Sequence, residues 1–235
     1  MLQLLRSPRV NVEDPLYVKC VLEAAKSKDC NMLLHLAWVS NSQRNYKKST
    51  INQVWEKKTI NLAEACFEAK IKFCGVGSIA EVTDFGITNL YASSKRNTRK
   101  AIQEISKEFL WIRPSYILGL SQGRPRFVTE IRNNSKPIMI HNGNESQDFI
   151  LLQDVLQGIL IALERNLTGI VDIGSGRCTK VAEIAKAIAK KFGKPEPLVS
   201  SSKEMPNHYF ESNILRNHGW RPHYTDTFFD ATWEP

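Results

Sequence analysis

The chain has 235 residues, a formal net charge of +8 and 42% hydrophobic residues, which suits one large domain or a domain with a lobe and excludes wholesale disorder. No apolar run approaches the ~20 residues of a membrane span. Met1-Leu2-Gln3-Leu4-Leu5-Arg6 meets a charge too early to be a secretory signal. The basic residues are scattered (Lys47-Lys48, Lys57-Lys58, Arg96 to Lys100, Lys190-Lys191), so solvated helix faces are the first reading, an anionic nucleotide the second and nucleic acid the last. Cys20, Cys30, Cys66, Cys74 and Cys178 contain no CxxC pair; this and their odd number predict reduced thiols in a cytoplasm and neither a disulfide scaffold nor a zinc site. The first glycine is Gly75, so no phosphate-binding glycine loop lies before it.

In chain order, Met32 to Ala37 is a short continuous apolar run, as a strand buried on both faces should be. Residues from about Thr50 to Ala69 read as a helix, with Val54, Leu62, Ala65 and Cys66 for its inner face. Ile71 to Val76 is the next strand, Ala92 to Glu108 the next helix, and Phe109 to Arg113 a third strand closed by Pro114. That alternation predicts βαβ units around a parallel sheet. Further on, Pro137 to His141 and Phe149 to Leu152 read as short strands around an Asn142-Gly143-Asn144 turn. Asp154 is expected to N-cap a helix from Val155 to Arg165 with an apolar stripe of Val155, Leu156, Ile159, Leu160 and Leu163. Gly169 to Gly174 is another strand. A helix follows on Val181, Ile184, Ala185, Ile188 and Phe192, with Lys190-Lys191 in its last turn and Gly193 as the stop.

The strongest chemical signal is Tyr91-Ala92-Ser93-Ser94-Lys95 at the opening of a helix. The i, i+4 spacing puts phenol and ammonium on one face. A cation there favours phenolate and draws a tyrosine down from its ordinary pKa of ~10, as proton shuttling requires. Ser78 supplies a hydroxyl at the carboxyl end of the strand before it, where an open α/β sheet places ligand-contacting groups. Gly75-Val76-Gly77 and Gly174-Ser175-Gly176 have the wrong spacing and setting for a dinucleotide loop. No GxSxG elbow surrounds Ser78 or Ser175. His35, His141, His208, His218 and His223 lack metal-ligand spacing, and His35 reads as a core residue at a strand end.

These residues, in order with His35-Leu36-Ala37-Trp38, Ile112-Arg113-Pro114-Ser115, Gln147-Asp148-Phe149, Asp172-Ile173-Gly174-Ser175-Gly176-Arg177 and Gly219-Trp220-Arg221-Pro222, resemble the extended short-chain dehydrogenase/reductases, in the NAD-dependent epimerase/dehydratase branch that works on nucleotide sugars. The similarity runs from about residue 10 to the C-terminus. It implies an α/β fold: a Rossmann-type parallel sheet, N-terminally truncated, over residues 1–118, with segments of about 148–175 returning to it. A smaller mixed nucleotide-sugar lobe would fill most of 119–235. It implies hydride exchange between NAD or NADP and a sugar carbon, with Tyr91 as acid/base, Lys95 lowering its pKa and holding the nicotinamide ribose, and Ser78 bonding the substrate oxygen. Leu36, Ala37 and Trp38 would sit against the cofactor, as would Pro114 and Ser115. Arg126 and Gln147 would meet the substrate diphosphate, and the two helices at about 50–69 and 92–108 match a pair that relatives use for homodimers.

Three departures accompany the resemblance. Gln147 stands where relatives carry an arginine, and a neutral amide does not replace a charge-assisted fork. The stretch from Ser78 to Tyr91 is short. The family's first βαβ unit, with its GxxGxxG turn, is expected to be missing from these residues. Two classes of function are therefore carried forward: a nucleotide-sugar epimerase, dehydratase or 4-ketoreductase, and a catalytically inactive remnant that binds a sugar nucleotide or a partner.

Overall fold

The computed structural model of the protein describes residues 14–39, 46–83, 89–119, 127–200 and 207–223. In chain order these form α1 (Tyr17–Lys26), β1 (Met32–His35), a 3-10 turn (Tyr46–Lys48), α2 (Ile51–Glu68), β2 (Lys72–Val76), α3 (Ala80–Thr83), α4 (Leu90–Ile105) and β3 (Leu110–Pro114). They continue as β4 (Tyr116–Leu118), α5 (Phe127–Asn133), β5 (Met139–Ile140), β6 (Ser146–Gln147), β7 (Phe149–Leu151), α6 (Leu152–Glu164), β8 (Gly169–Ile173), β9 (Thr179–Lys180), α7 (Val181–Lys191), β10 (Leu198–Val199) and α8 (Asn213–Asn217). The chain divides into two units: residues to Arg113 with Leu167–Val171, and Pro114–Asn166 with Asp172 to the end.

In the first unit the sheet runs in the order β1-β2-β3-β8. β1 and β2 pair in parallel with His35 opposite Gly75, and β2 and β3 in parallel with Val76 opposite Ile112. The core gathers Leu62, Ala63, Cys66, Phe73, Ile102 and Trp111. Burial pushes the thiols of Cys66 and Cys74 up to about 12, and all five cysteines are free. Gly75 and Gly77 have a packing reason. A Cβ on Gly75 would strike the Trp111 ring, and one on Gly77 would strike Glu81 Oε1 and Trp111 Nε1. These glycines let a tryptophan lie across the neighbouring strand.

The sheet and its helices follow the predicted alternation, with corrections of detail. The inner face of α2 is Asn52, Thr59, Leu62, Ala63 and Cys66, while Val54 and Ala65 are half-buried. Asn52 sits there because its amide bonds Trp38 Nε1–H and the carbonyls of Tyr46 and Ser49. α4 starts at Leu90, before the predicted Ala92, because the Asn89 side chain accepts the Ala92 N–H at 3.1 Å and caps the first turn.

In the second unit the core is Leu118, Ile131, Ile140, Phe149, Val181, Ile184 and Ile188 among others. β5 and β7 flank the Asn142-Gly143-Asn144 turn without pairing with each other: β5 pairs in parallel with β10, and β7 in parallel with β4. α7 stops as predicted. Gly193 takes φ +59°, and Lys194 N–H reaches back to the Ala189 carbonyl at 2.8 Å. Asp154, in contrast, caps nothing. The residue before α6 is Leu151, and Asp154 lies buried inside the first turn, accepting the His223 N–H at 2.9 Å and facing its Nδ1 at 2.6 Å. The stripe of α6 is also narrower than predicted: Leu156 and Leu160 are 51% and 43% exposed, while Val155, Ile159 and Ala162 are buried.

Candidate active site

Three segments of the first unit meet at the carboxyl end of its sheet. β2 ends at Val76, leading to Gly77-Ser78; β1 ends at His35, leading to Leu36-Ala37-Trp38; and the first turns of α4 carry Tyr91 and Lys95. Lys95 is 5% exposed. Its Nζ donates to the Val76 carbonyl at 2.6 Å and lies 3.7 Å from the centre of the Trp38 ring, with Trp111 at 6.0 Å. Burial draws its pKa down to about 7, against the pull of the Glu81 carboxylate. The aromatic face gives back part of the lost hydration.

Tyr91, one turn before Lys95, is half-buried and packs edge-on against Tyr46, ring centroids 5.4 Å apart. Ser78 is also half-buried. Its Oγ accepts the Ala80 N–H at 3.2 Å, and its own N–H donates to Glu81 Oε1 at 3.1 Å. Leu36, 60% exposed, and Ala37 lie open at the end of β1.

Two residues to which the sequence assigns no role organise this end of the sheet. Glu81, 1% exposed, accepts Trp111 Nε1–H at 2.9 Å on Oε1 and Arg99 Nε–H at 3.0 Å on Oε2, while Arg96 donates to its backbone carbonyl. Asn52, fully buried, accepts Trp38 Nε1–H at 3.0 Å and donates to the carbonyls of Tyr46 at 2.7 Å and Ser49 at 2.9 Å. One amide thus holds both the ring that covers Lys95 and the backbone of the ring that meets Tyr91. The only hint of Asn52 in the sequence is a polar residue on the inner face of α2. For Glu81 it is its place at the end of Gly75-Val76-Gly77-Ser78-Ile79-Ala80-Glu81, a stretch that shares in the family resemblance.

His35 is a core residue, as expected. It is buried with its Nε2 2.9 Å from the Tyr17 hydroxyl, among Trp55 and Phe73. Burial, then the Lys95 charge, lowers its pKa to about 3, so it is neutral and does not shuttle protons near pH 7.

The other expected site residues belong to the second unit. Pro114 and Ser115 are buried, Ser115 N–H donating to the Ile173 carbonyl at 2.9 Å. Gln147 is half-buried on β6, its amide 3.4 Å from Glu145 Oε2. Arg126 lies outside the described residues. Among the described residues no cluster of three His, Cys, Asp or Glu could hold a metal ion, and no helix is long and apolar enough to cross a membrane.

Residues 10–174 match the NAD dependent epimerase/dehydratase family. The chain belongs to that family. Among curated members, it is 31% identical over 93 residues to a dTDP-L-rhamnose 4-epimerase of Burkholderia thailandensis, covering 37% of this chain and 26% of that protein. It is 29% identical over 99 residues to a putative UDP-glucose 4-epimerase of Methanocaldococcus jannaschii, covering 41% and 32%. The aligned stretches thus span about a quarter to a third of those relatives. The fold matches that of solved structures. RMD from Pseudomonas aeruginosa, complexed with NADPH, superposes with a TM-score of 0.74 at 18% identity over 94% of this chain and 84% of that one. The dTDP-glucose 4,6-dehydratase of Bacillus anthracis, in complex with NAD, gives 0.72 at 17% over 88% and 72%. The Rossmann-type reading of the parallel sheet is therefore correct.

Proposed function

We propose that the chain carries out NAD- or NADP-dependent chemistry on a nucleotide sugar, as an epimerase, dehydratase or 4-ketoreductase. The observation that carries this reading is Lys95, a buried ammonium one helical turn from Tyr91 at the carboxyl end of the sheet, in a chain of this family. An ammonium has three N–H groups, and the Val76 carbonyl takes one. Those left over, beside the open Leu36-Ala37 surface at the same end, fit the ribose and nicotinamide of a dinucleotide. Pro114 and Ser115 of the second unit are also proposed as cofactor contacts, and the substrate lobe is assigned to most of residues 119–235.

A bound nicotinamide ring supplies hydride acceptance and donation. Tyr91 then moves one proton at its Oη: the phenolate takes it from a sugar hydroxyl as that carbon is oxidised, and the phenol returns it when a ketone is reduced. Lys95 favours the phenolate by its charge. The Ser78 hydroxyl donates to the same sugar oxygen and holds it in line. Arg126 and Gln147 are proposed to face the diphosphate, where an amide gives a weaker contact than a guanidinium.

The test is to incubate the purified chain with UDP- and dTDP-sugars and either dinucleotide, following sugar products chromatographically and binding by calorimetry. Product formation with one dinucleotide supports the reading. Sugar-nucleotide binding without product would favour the non-catalytic alternative. A homodimer through α2 and α4 is also proposed, on the polar groove between them lined by Gln53, Lys57, Asn61 and Asn97; a monomer by light scattering would refute it. The five free thiols favour a cytoplasmic setting, which cell fractionation checks.

A further inference from the structure

We propose that Glu81 is a positioning residue of this site, its buried carboxylate fixing the backbone of Ser78 and standing as the anion beside Lys95. The proposal rests on reading Ser78, Tyr91 and Lys95 as the reacting set. Four bonds converge on Glu81 from separate elements: Ser78 N–H and Trp111 Nε1–H on Oε1, Arg99 Nε–H on Oε2, and Arg96 on its carbonyl. Ser78 follows β2, Trp111 is on β3, and both arginines are on α4, the helix that carries Tyr91 and Lys95. A carboxylate so buried is retained only when its lone pairs are filled and its charge is met. Arg99, with 14% of its side chain exposed, meets it directly. Gly77 leaves the space the carboxylate occupies.

Among the described residues, Lys95 is accompanied by Tyr91, Arg96 and Arg99 on its own helix, by neutral His35 on β1, and by Glu81 on α3, whose Oε1 accepts the Nε1–H of the Trp111 ring that Lys95 Nζ faces at 6.0 Å; Arg113 on β3 packs at Gly77. Glu81 is the anion among them that opposes the effect of burial on Lys95. Glu81 touches no reacting atom in this account. It acts through Ser78 and Lys95.

A charge role and a purely structural role move Lys95 in opposite directions. Removing the charge while keeping the shape leaves the ammonium less favoured, so its midpoint falls. Loosening the packing lets water in, so its midpoint rises towards the ordinary lysine value. The experiment titrates the full chain by NMR with lysine labelled at Cε, assigning Lys95 by the signal lost in Lys95→Met. The wild-type midpoint is expected near 7, and Glu81→Gln is expected about one unit lower. An unchanged or higher midpoint would overturn the proposal. If Glu81→Gln does not fold, Arg99→Met takes its place. It leaves the buried carboxylate unopposed, so the melting temperature should fall while the midpoint rises, and an unmoved or lower midpoint overturns the proposal. Neither readout needs a sugar or a dinucleotide. Absent turnover with the Lys95 shifts intact would defeat the functional reading and support the placement of Glu81.

Discussion

Lys95 in the first unit and Asp148 in the second are both buried ions, but their surroundings differ in kind. Asp148 accepts Ser175 N–H at 2.8 Å and Ser175 Oγ–H at 2.5 Å on one oxygen, and Phe210 N–H at 3.0 Å on the other. Burial pushes its carboxyl up, and those bonds pull it back. Gly174 leaves the room for it, since a Cβ there would strike Asp148 Oδ2. Asp148 is a staple joining β7, the turn after β8 and the segment before α8. Lys95 has one carbonyl, an aromatic face and a carboxylate held by a third party. Neutral donors in fixed backbone satisfy a charge and leave it inert. A charge left short of partners is the one available to a ligand.

The largest expected effect sharpens the contrast by pH. His35 has its folded pKa near 3 against an ordinary 6.5, so below pH 6.5 the unfolded chain binds a proton that the folded chain refuses. Stability should fall as pH drops from 6.5 to 3, by on the order of 4 kcal/mol more in wild type than in His35→Phe, measured by urea unfolding at each pH. Next, Asp148→Ala strands two buried N–H groups and should cost about 3 kcal/mol; a loss below 1 kcal/mol would contradict its role as a staple.

Lys95→Met runs the other way. Folded Lys95 gives up its proton near pH 7, against 10.5 ordinarily, so the cost of burying it is full below pH 7 and fades as pH rises to 10.5. The variant should be more stable by on the order of 2 kcal/mol near pH 6, allowing for the ring and carbonyl contacts it gives up, and less stable than wild type by a similar amount near pH 10.5, where burying Lys95 no longer costs a charge. Smallest of all, Leu156→Gln on the open side of α6 should change stability by less than about 0.5 kcal/mol; a larger loss would restore the wide stripe.

Local pattern makes much of this legible. Continuous apolar runs announce β1, β2 and β3, and Gly193 with two lysines marks the end of α7. The i, i+4 spacing of Tyr91 and Lys95 is enough to put them on one face of α4. α1 carries a weaker signal, although Asp14-Pro15 opens it, Asp14 Oδ1 accepting Leu16 N–H at 2.8 Å. Asp154 has the composition of an N-cap, but its partner is His223, 69 residues on. The partners of Glu81 and Asn52 are illegible for the same reason. A polar side chain in an apolar stretch reads as exposed until Trp111, Arg99 and Trp38 are brought to it by the fold. What stays hidden is what depends on partners distant in sequence.

Tyr91 is the group proposed to move the proton, and replacing its hydroxyl tests that role most directly. With a nucleotide sugar and dinucleotide that the wild-type chain converts, Tyr91→Phe should lower kcat roughly a hundredfold or more with the fold and the Lys95 titration intact. Turnover unchanged in Tyr91→Phe would contradict it.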